Sequence, residues 1–143
     1  MANKKTILVV DDIPLMRTML VKYIKTLGSK ILKEEYGISE IDVIEASNGK
    51  IALDKLRAQP IDLIFLDLMM PEMDGLTFLG LKKDDQALEK VPVIICSALG
   101  EKETVDKALS LGARSYIMKP FTLKTIETNL RKAMEMAGTE TPA

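Results

Sequence analysis

Residues Ile61–Leu66, within the stretch IDLIFLDLMMPEMDG, are too few for a stable helix and too continuously apolar for a strand with one wet face. They are expected as a strand covered on both faces, the habit of parallel α/β sheets. Four more runs behave alike: Thr6–Val10, Val91–Cys96, Tyr116–Met118 and the more polar Val43–Ala46, which reads as an edge strand. Between them the apolar spacing becomes helical. Pro14 suits a first helical turn, and Met16, Met19, Leu20, Tyr23, Ile24 and Leu27 recur on one face up to Gly28. Ile51, Ala52, Lys55 and Leu56 follow the cap candidates Ser47 and Asn48 and stop at Pro60. Leu76, Phe78 and Leu79 follow turn chemistry at Pro71 and Asp74-Gly75; Val105, Ala108 and Leu109 are closed by Gly112; Leu123, Ile126, Leu130, Ala133 and Ala137 form a last apolar face. Five strands alternating with five helices specify an α/β fold, a doubly wound five-stranded parallel sheet, because right-handed crossovers lay each helix on a sheet face.

One connection exceeds this pattern. The stretch SKILKEEYGISEID has helical character up to Glu35 and a C-terminal glycine at Gly37, so it either extends the first helix or forms a short one of its own. It is longer than the usual loop of an α/β unit, and residues of about 29–39 count as an insertion. KKDDQALEK is expected as a solvated loop and residues 138–143 as a polar tail. The length of 143 residues suits a single domain, 1–143, with a core of about 5–137.

Composition narrows the chemistry. A net charge of −1 and a pI of about 5.6 give no basic footprint for direct binding to nucleic acid. Met1–Lys5 is too short and polar for a signal peptide, and no apolar run is long enough for membrane insertion, so the chain reads as cytoplasmic. Cys96, the single cysteine, sits in VIIC and reads as a small buried hydrophobe. With no histidine at all, imidazole acid–base catalysis and imidazole metal sites are excluded.

What remains converges by topology. The carboxyl ends of parallel strands share one edge, where open α/β sheets keep their ligand crevice. That edge receives Asp11 and Asp12 from the first strand, Asp67 from the third, Ser97 from the fourth and Lys119 from the fifth. Crowded carboxylates repel one another, and a hard divalent cation keeps them ionised; Mg²⁺ suits two carboxylates with a backbone carbonyl near Met69. The remaining carboxylate can act as a nucleophile towards phosphorus, with a lysine ammonium and a hydroxyl left to hold phosphoryl oxygens.

With these residues assembled, VVDD, FLDLMMPEMDG, CSA and MKP resemble, in order and at strand ends, the motifs of the receiver domain of two-component response regulators, in its stand-alone, CheY-like form. The resemblance covers nearly the whole chain. It implies a flavodoxin-like sheet of order 2-1-3-4-5, which spacing alone does not supply. It further implies that Asp67 is the phosphoacceptor, that Asp11, Asp12, Asp67 and the Met69 carbonyl bind Mg²⁺, and that Ser97 and Lys119 hold the phosphoryl group. Ser97 and Tyr116 would form the switch, and the Lys119-Pro120 peptide would be cis. The implied donor is a sensor histidine kinase or phosphotransfer protein. The implied recipient is a downstream protein, whether a motor switch, a relay protein or an enzyme. Two other assignments within the family are a phosphorelay intermediate and a receiver fragment of a regulator with a DNA-binding output domain. An aspartyl-phosphate phosphohydrolase would need a second acid where Met69 stands. A degenerate receiver that binds partners without phosphorylation would not need the intact acids, Ser97 and Lys119.

Overall fold

The computed structural model describes residues 4–140, with side chains described for 4–134. Its strands are β1 (Lys4–Val10), β2 (Glu40–Ala46), β3 (Leu63–Leu66), β4 (Val93–Ser97) and β5 (Ser115–Met118). They pair in parallel in the order β2-β1-β3-β4-β5. Alternate residues of the apolar runs serve opposite faces. Ile7, Val9, Leu63, Phe65, Ile94, Cys96 and Ile117 belong to one core cluster; Leu8, Val10, Ile64, Leu66, Val93 and Ile95 belong to the other. Each such aliphatic or aromatic side chain gains about 1.5–3 kcal/mol from full burial, so both periodic positions of a central strand are committed to apolar residues. The edge strand β2 needs less, and its residues Ile41–Ile44 are only partly buried.

The first cluster is closed by α1 (Pro14–Leu27) and α6 (Leu123–Glu140), the second by α3 (Gly49–Ala58), α4 (Gly75–Lys83) and α5 (Lys102–Ser110). Gly28 does not end the first helix. It is right-handed and buried against Ile41, and the chain continues through a π-helical segment, Gly28–Leu32, into α2 (Lys33–Tyr36). The helix ends at Gly37, whose φ of 66° is open to glycine at little cost. Thus residues 29–36 extend the first helix, and Ile31, Leu32 and Ile38 are buried in the first core cluster.

Several side chains depart from their expected surroundings. Ile51, Leu109 and Leu123 are exposed, because the buried faces of their helices run instead through Ala52, Leu53 and Leu56, through Ala108, and through Ile126 and Leu130. KKDDQALEK is not solvated throughout. Lys82 is buried with its ammonium donating to the Glu89 carbonyl at 2.8 Å, and Leu88 is buried as well. Burial, helped by the Arg114 charge and opposed by Glu89, pushes the Lys82 ammonium down to about 8. Helix α6 runs on to Glu140, into the stretch expected as a tail; residues 141–143 and the side chain of Ala137 lie outside the described residues.

Candidate functional site

The connections leaving β1 and β3 run to opposite sides of the sheet, which opens a crevice at their carboxyl ends. Backbone pairing holds its floor: the Asp11 amide bonds the Ala46 carbonyl at 3.1 Å and the Asp67 amide bonds the Val10 carbonyl at 2.9 Å. Asp11 is 2% exposed and Asp67 4%, while Asp12 is half-buried. One carboxylate oxygen from each of the three lies within 4.8 Å of the others. The Asp11 carboxylate accepts the Ile13 amide at 2.9 Å, which turns the chain into α1, and the Asp67 carboxylate accepts the Met69 amide at 3.2 Å.

The far wall comes from α4. Asp74 caps that helix by accepting the Thr77 amide at 2.8 Å, and the Gly75 amide bonds the Leu68 carbonyl at 3.0 Å. A Cβ on Gly75 would lie 2.6 Å from the Asp67 carbonyl oxygen, so the glycine sets how closely the helix approaches the acid.

Lys119 enters from the end of β5, where its amide bonds the Ser97 carbonyl at 2.8 Å and its peptide to Pro120 is cis. The ammonium reaches Asp11 at 2.7 Å and Asp67 at 3.2 Å. Burial depresses this ammonium, but the hydrogen bonds and charges of the two acids outweigh it and hold its pKa above the ordinary lysine value. Burial raises the Asp67 pKa; the Lys119 charge opposes that and the Asp11 charge adds to it. Ser97 is fully buried, its Oγ accepting the Leu99 amide at 3.2 Å, and Tyr116 donates its hydroxyl to the Leu99 carbonyl. Burial also raises the Tyr116 pKa, opposed by a hydrogen bond with Ser97.

The residues at the strand ends therefore meet in one crevice: three carboxylates, a buried hydroxyl and a lysine. Their oxygens form the donor set that a hard divalent cation prefers, and an ammonium already bridges two of them, so the cluster suits positive charge. Met69, 55% exposed, stands at the rim.

The sequence reading missed Arg17. Its Nη1 donates to the Asp11 carbonyl at 2.7 Å and its Nε to Glu45 at 3.0 Å, while Lys55 donates to the Glu45 carbonyl. A signal was present: a lone cation in the first turn of α1 opposes the helix dipole and so asks for a local partner.

Residues 7–131 match the model of the response regulator receiver domain. The chain belongs to that family. Among relatives of this receiver domain, the chemotaxis protein CheY of Bacillus subtilis is 34% identical over 128 residues, covering 90% of this chain and 96% of that one. CheY of Listeria monocytogenes is 37% identical over 130 residues, covering 89% and 96%. Two solved structures share the fold. Vibrio cholerae CheY4 has a TM-score of 0.77 at 23% identity, covering 91% of this chain and 98% of that one. The receiver domain of a Pseudomonas aeruginosa sensor histidine kinase, which holds a magnesium ion in its active-site cleft, has a TM-score of 0.77 at 22% identity, covering 92% and 98%. This receiver domain is a phosphoacceptor protein of two-component signalling. No helix among its described residues is long and apolar enough to cross a membrane.

Proposed function

We propose that Asp67 is the residue that accepts the phosphoryl group. The observation that carries this reading is its carboxylate, 4% exposed, held between the Lys119 ammonium and the Asp11–Asp12 pair at the crevice of the sheet. Asp11, Asp12, Asp67 and the Met69 carbonyl are the residues to hold Mg²⁺. A bound Mg²⁺ supplies positive charge that keeps the carboxylates ionised and offsets the charge of the incoming group. The chain's own residues do the rest. One Asp67 oxygen bonds phosphorus as the bond from phosphorus to the donor's imidazole nitrogen breaks, and that nitrogen keeps the electron pair. Lys119 moves its pairing from the carboxylates to a phosphoryl oxygen, and the Ser97 hydroxyl turns from the Leu99 amide to donate to another. Because Ser97 and Tyr116 both bond Leu99, that turn changes the loop before α5, through which Tyr116 and the neighbouring surface report the new state.

With no histidine of its own, the chain takes its phosphoryl group from another protein, a sensor histidine kinase or a phosphotransfer protein. Its likeness to the CheY relatives supports a cytoplasmic chemotaxis regulator acting on a flagellar motor protein. On this reading the chain is no enzyme beyond promoting its own phosphorylation and dephosphorylation. The whole of 1–143 acts as one receiver domain, with residues 29–39 remote from the acids at the opposite edge of the sheet. The test is Asp67→Asn, in which Mg²⁺-dependent, base-labile labelling by acetyl phosphate is lost while the fold persists. An acid-stable label that survives in Asp67→Asn refutes the assignment.

A further inference from the structure

We infer that Arg17 is a positioning residue for the cation site, acting through the peptide that joins Asp11 to Asp12; this rests on the reading of that acidic trio as a Mg²⁺ site. The guanidinium pairs with none of the three clustered carboxylates. It spends one donor on the Asp11 carbonyl at 2.7 Å and another on Glu45 at 3.0 Å. The Asp11 carbonyl is one end of the peptide whose other end is the Asp12 amide, so fixing it fixes the direction from which Asp12 faces the cluster. Glu45 in turn is tethered through its carbonyl to Lys55 of α3, and the Asp11 amide is bonded to Ala46 next to it. The end of β1 is thereby clamped to the end of β2 on the side away from Lys119.

Charge is arranged to suit this task. A bare guanidinium beside a divalent site would repel the metal, but Glu45 neutralises it, so the contact orients Asp11 and Asp12 without opposing a cation. The pair itself is open to solvent on the Glu45 side, with side-chain exposures of 20% for Arg17 and 47% for Glu45, and contributes little to stability alone. Its value lies in geometry, as with outer contacts that orient metal ligands, whose loss costs about tenfold or more in affinity.

Clamp and simple charge make opposite forecasts for Arg17→Gln and different ones for the double variant. If charge alone mattered, Arg17→Gln would tighten Mg²⁺ binding, Glu45→Gln would weaken it, and the neutral double variant would match wild type. The clamp requires both single variants to weaken binding by about tenfold, the double variant to be no worse than either, and Arg17→Lys to recover part of the loss. The measurement is calorimetric titration of each metal-free variant with MgCl₂, with the Asp12 and Asp67 amide shifts followed by NMR and the urea midpoint recorded in EDTA. Opposite signs for the two single variants overturn the inference, as does a lowered urea midpoint with unchanged Mg²⁺ affinity. Wild type failing to bind Mg²⁺ overturns the metal reading along with it, whereas normal binding in every variant overturns the clamp alone.

Discussion

Replacing Lys119 by Met removes the one charge that bridges the two most buried acids while keeping most of the stem in place. The ammonium lies 2.7 Å from Asp11 and 3.2 Å from Asp67, with side-chain exposures of 10%, 3% and 4%. Removing one partner from a buried ion pair costs about 3–5 kcal/mol, because the opposite charge stays behind without compensation. Two carboxylates remain here, but Asp67 relieves part of the strain by taking up a proton, since burial has already raised its pKa. We therefore expect metal-free Lys119→Met to lose about 3 kcal/mol at neutral pH, and the deficit to shrink on acidification as that carboxyl protonates. In wild type the lysine's contribution persists across the neutral range, because its pKa is raised and the stabilisation is lost only as pH climbs through that raised value. Mg²⁺ should reverse much of the loss. With no ammonium competing for Asp11 and Asp67, an affinity about tenfold tighter would return ~1.4 kcal/mol at saturation. The assay is urea unfolding of both proteins in EDTA and in saturating MgCl₂. A gap that is the same in both conditions refutes competition between lysine and cation, and no gap in EDTA refutes the burial argument itself.

Lys82→Met tests the other buried lysine. Lowered from 10.5 to about 8, Lys82 loses its proton in the folded state first, so wild-type stability relative to the variant should rise by ~1.4 kcal/mol per pH unit between those values, about 3 kcal/mol in all; parallel stability–pH curves for the two proteins would show a solvated ammonium. Ile31→Ala, in the helix extension, should cost about 2–4 kcal/mol of unfolding free energy because Ile31 is 2% exposed. The acetyl phosphate labelling rate per folded molecule should stay at the wild-type value, and a large fall would place that segment in contact with the crevice.

The sheet was legible because a central parallel strand must be apolar at every position, a pattern no amphipathic helix shares. Its order was not, since crossovers of similar length permit several orders, and it came only with the family motifs. Asp11, Asp12, Asp67, Ser97 and Lys119 could be placed at one edge because strand ends are set by topology rather than by side-chain detail. Arg17, Glu45 and Lys55 were missed for the converse reason: their partners are backbone carbonyls and each other across three elements, which spacing along a chain does not encode. Lys82 was misread because charge density predicts solvent, yet a long aliphatic stem can be buried where its ammonium reaches a carbonyl. Whether the first helix runs past Gly28 was left open by the spacing; it does, and the missing side chain there serves close approach, since a Cβ would fall 2.5 Å from Ile41 Cδ1.

The π-helical segment Gly28–Leu32 has a consequence for how the chain tolerates change in length. A π turn is an α-helix with one residue too many, so the five residues of this segment take up a single extra position without turning the helix beyond them. Removing one residue there would let the helix run on as regular α and would leave everything beyond it in nearly the same rotational phase, because five π residues turn through about the same angle as four α residues. Tyr36 would stay on the first core cluster, and Glu35 would keep its ion pair with Arg131 on α6. Length variation of a single residue between chains of this shape can therefore be absorbed inside 28–32 as well as after Gly37, where the helix has already ended, and a one-residue gap drawn inside 28–32 would leave the docking of the helix end in place.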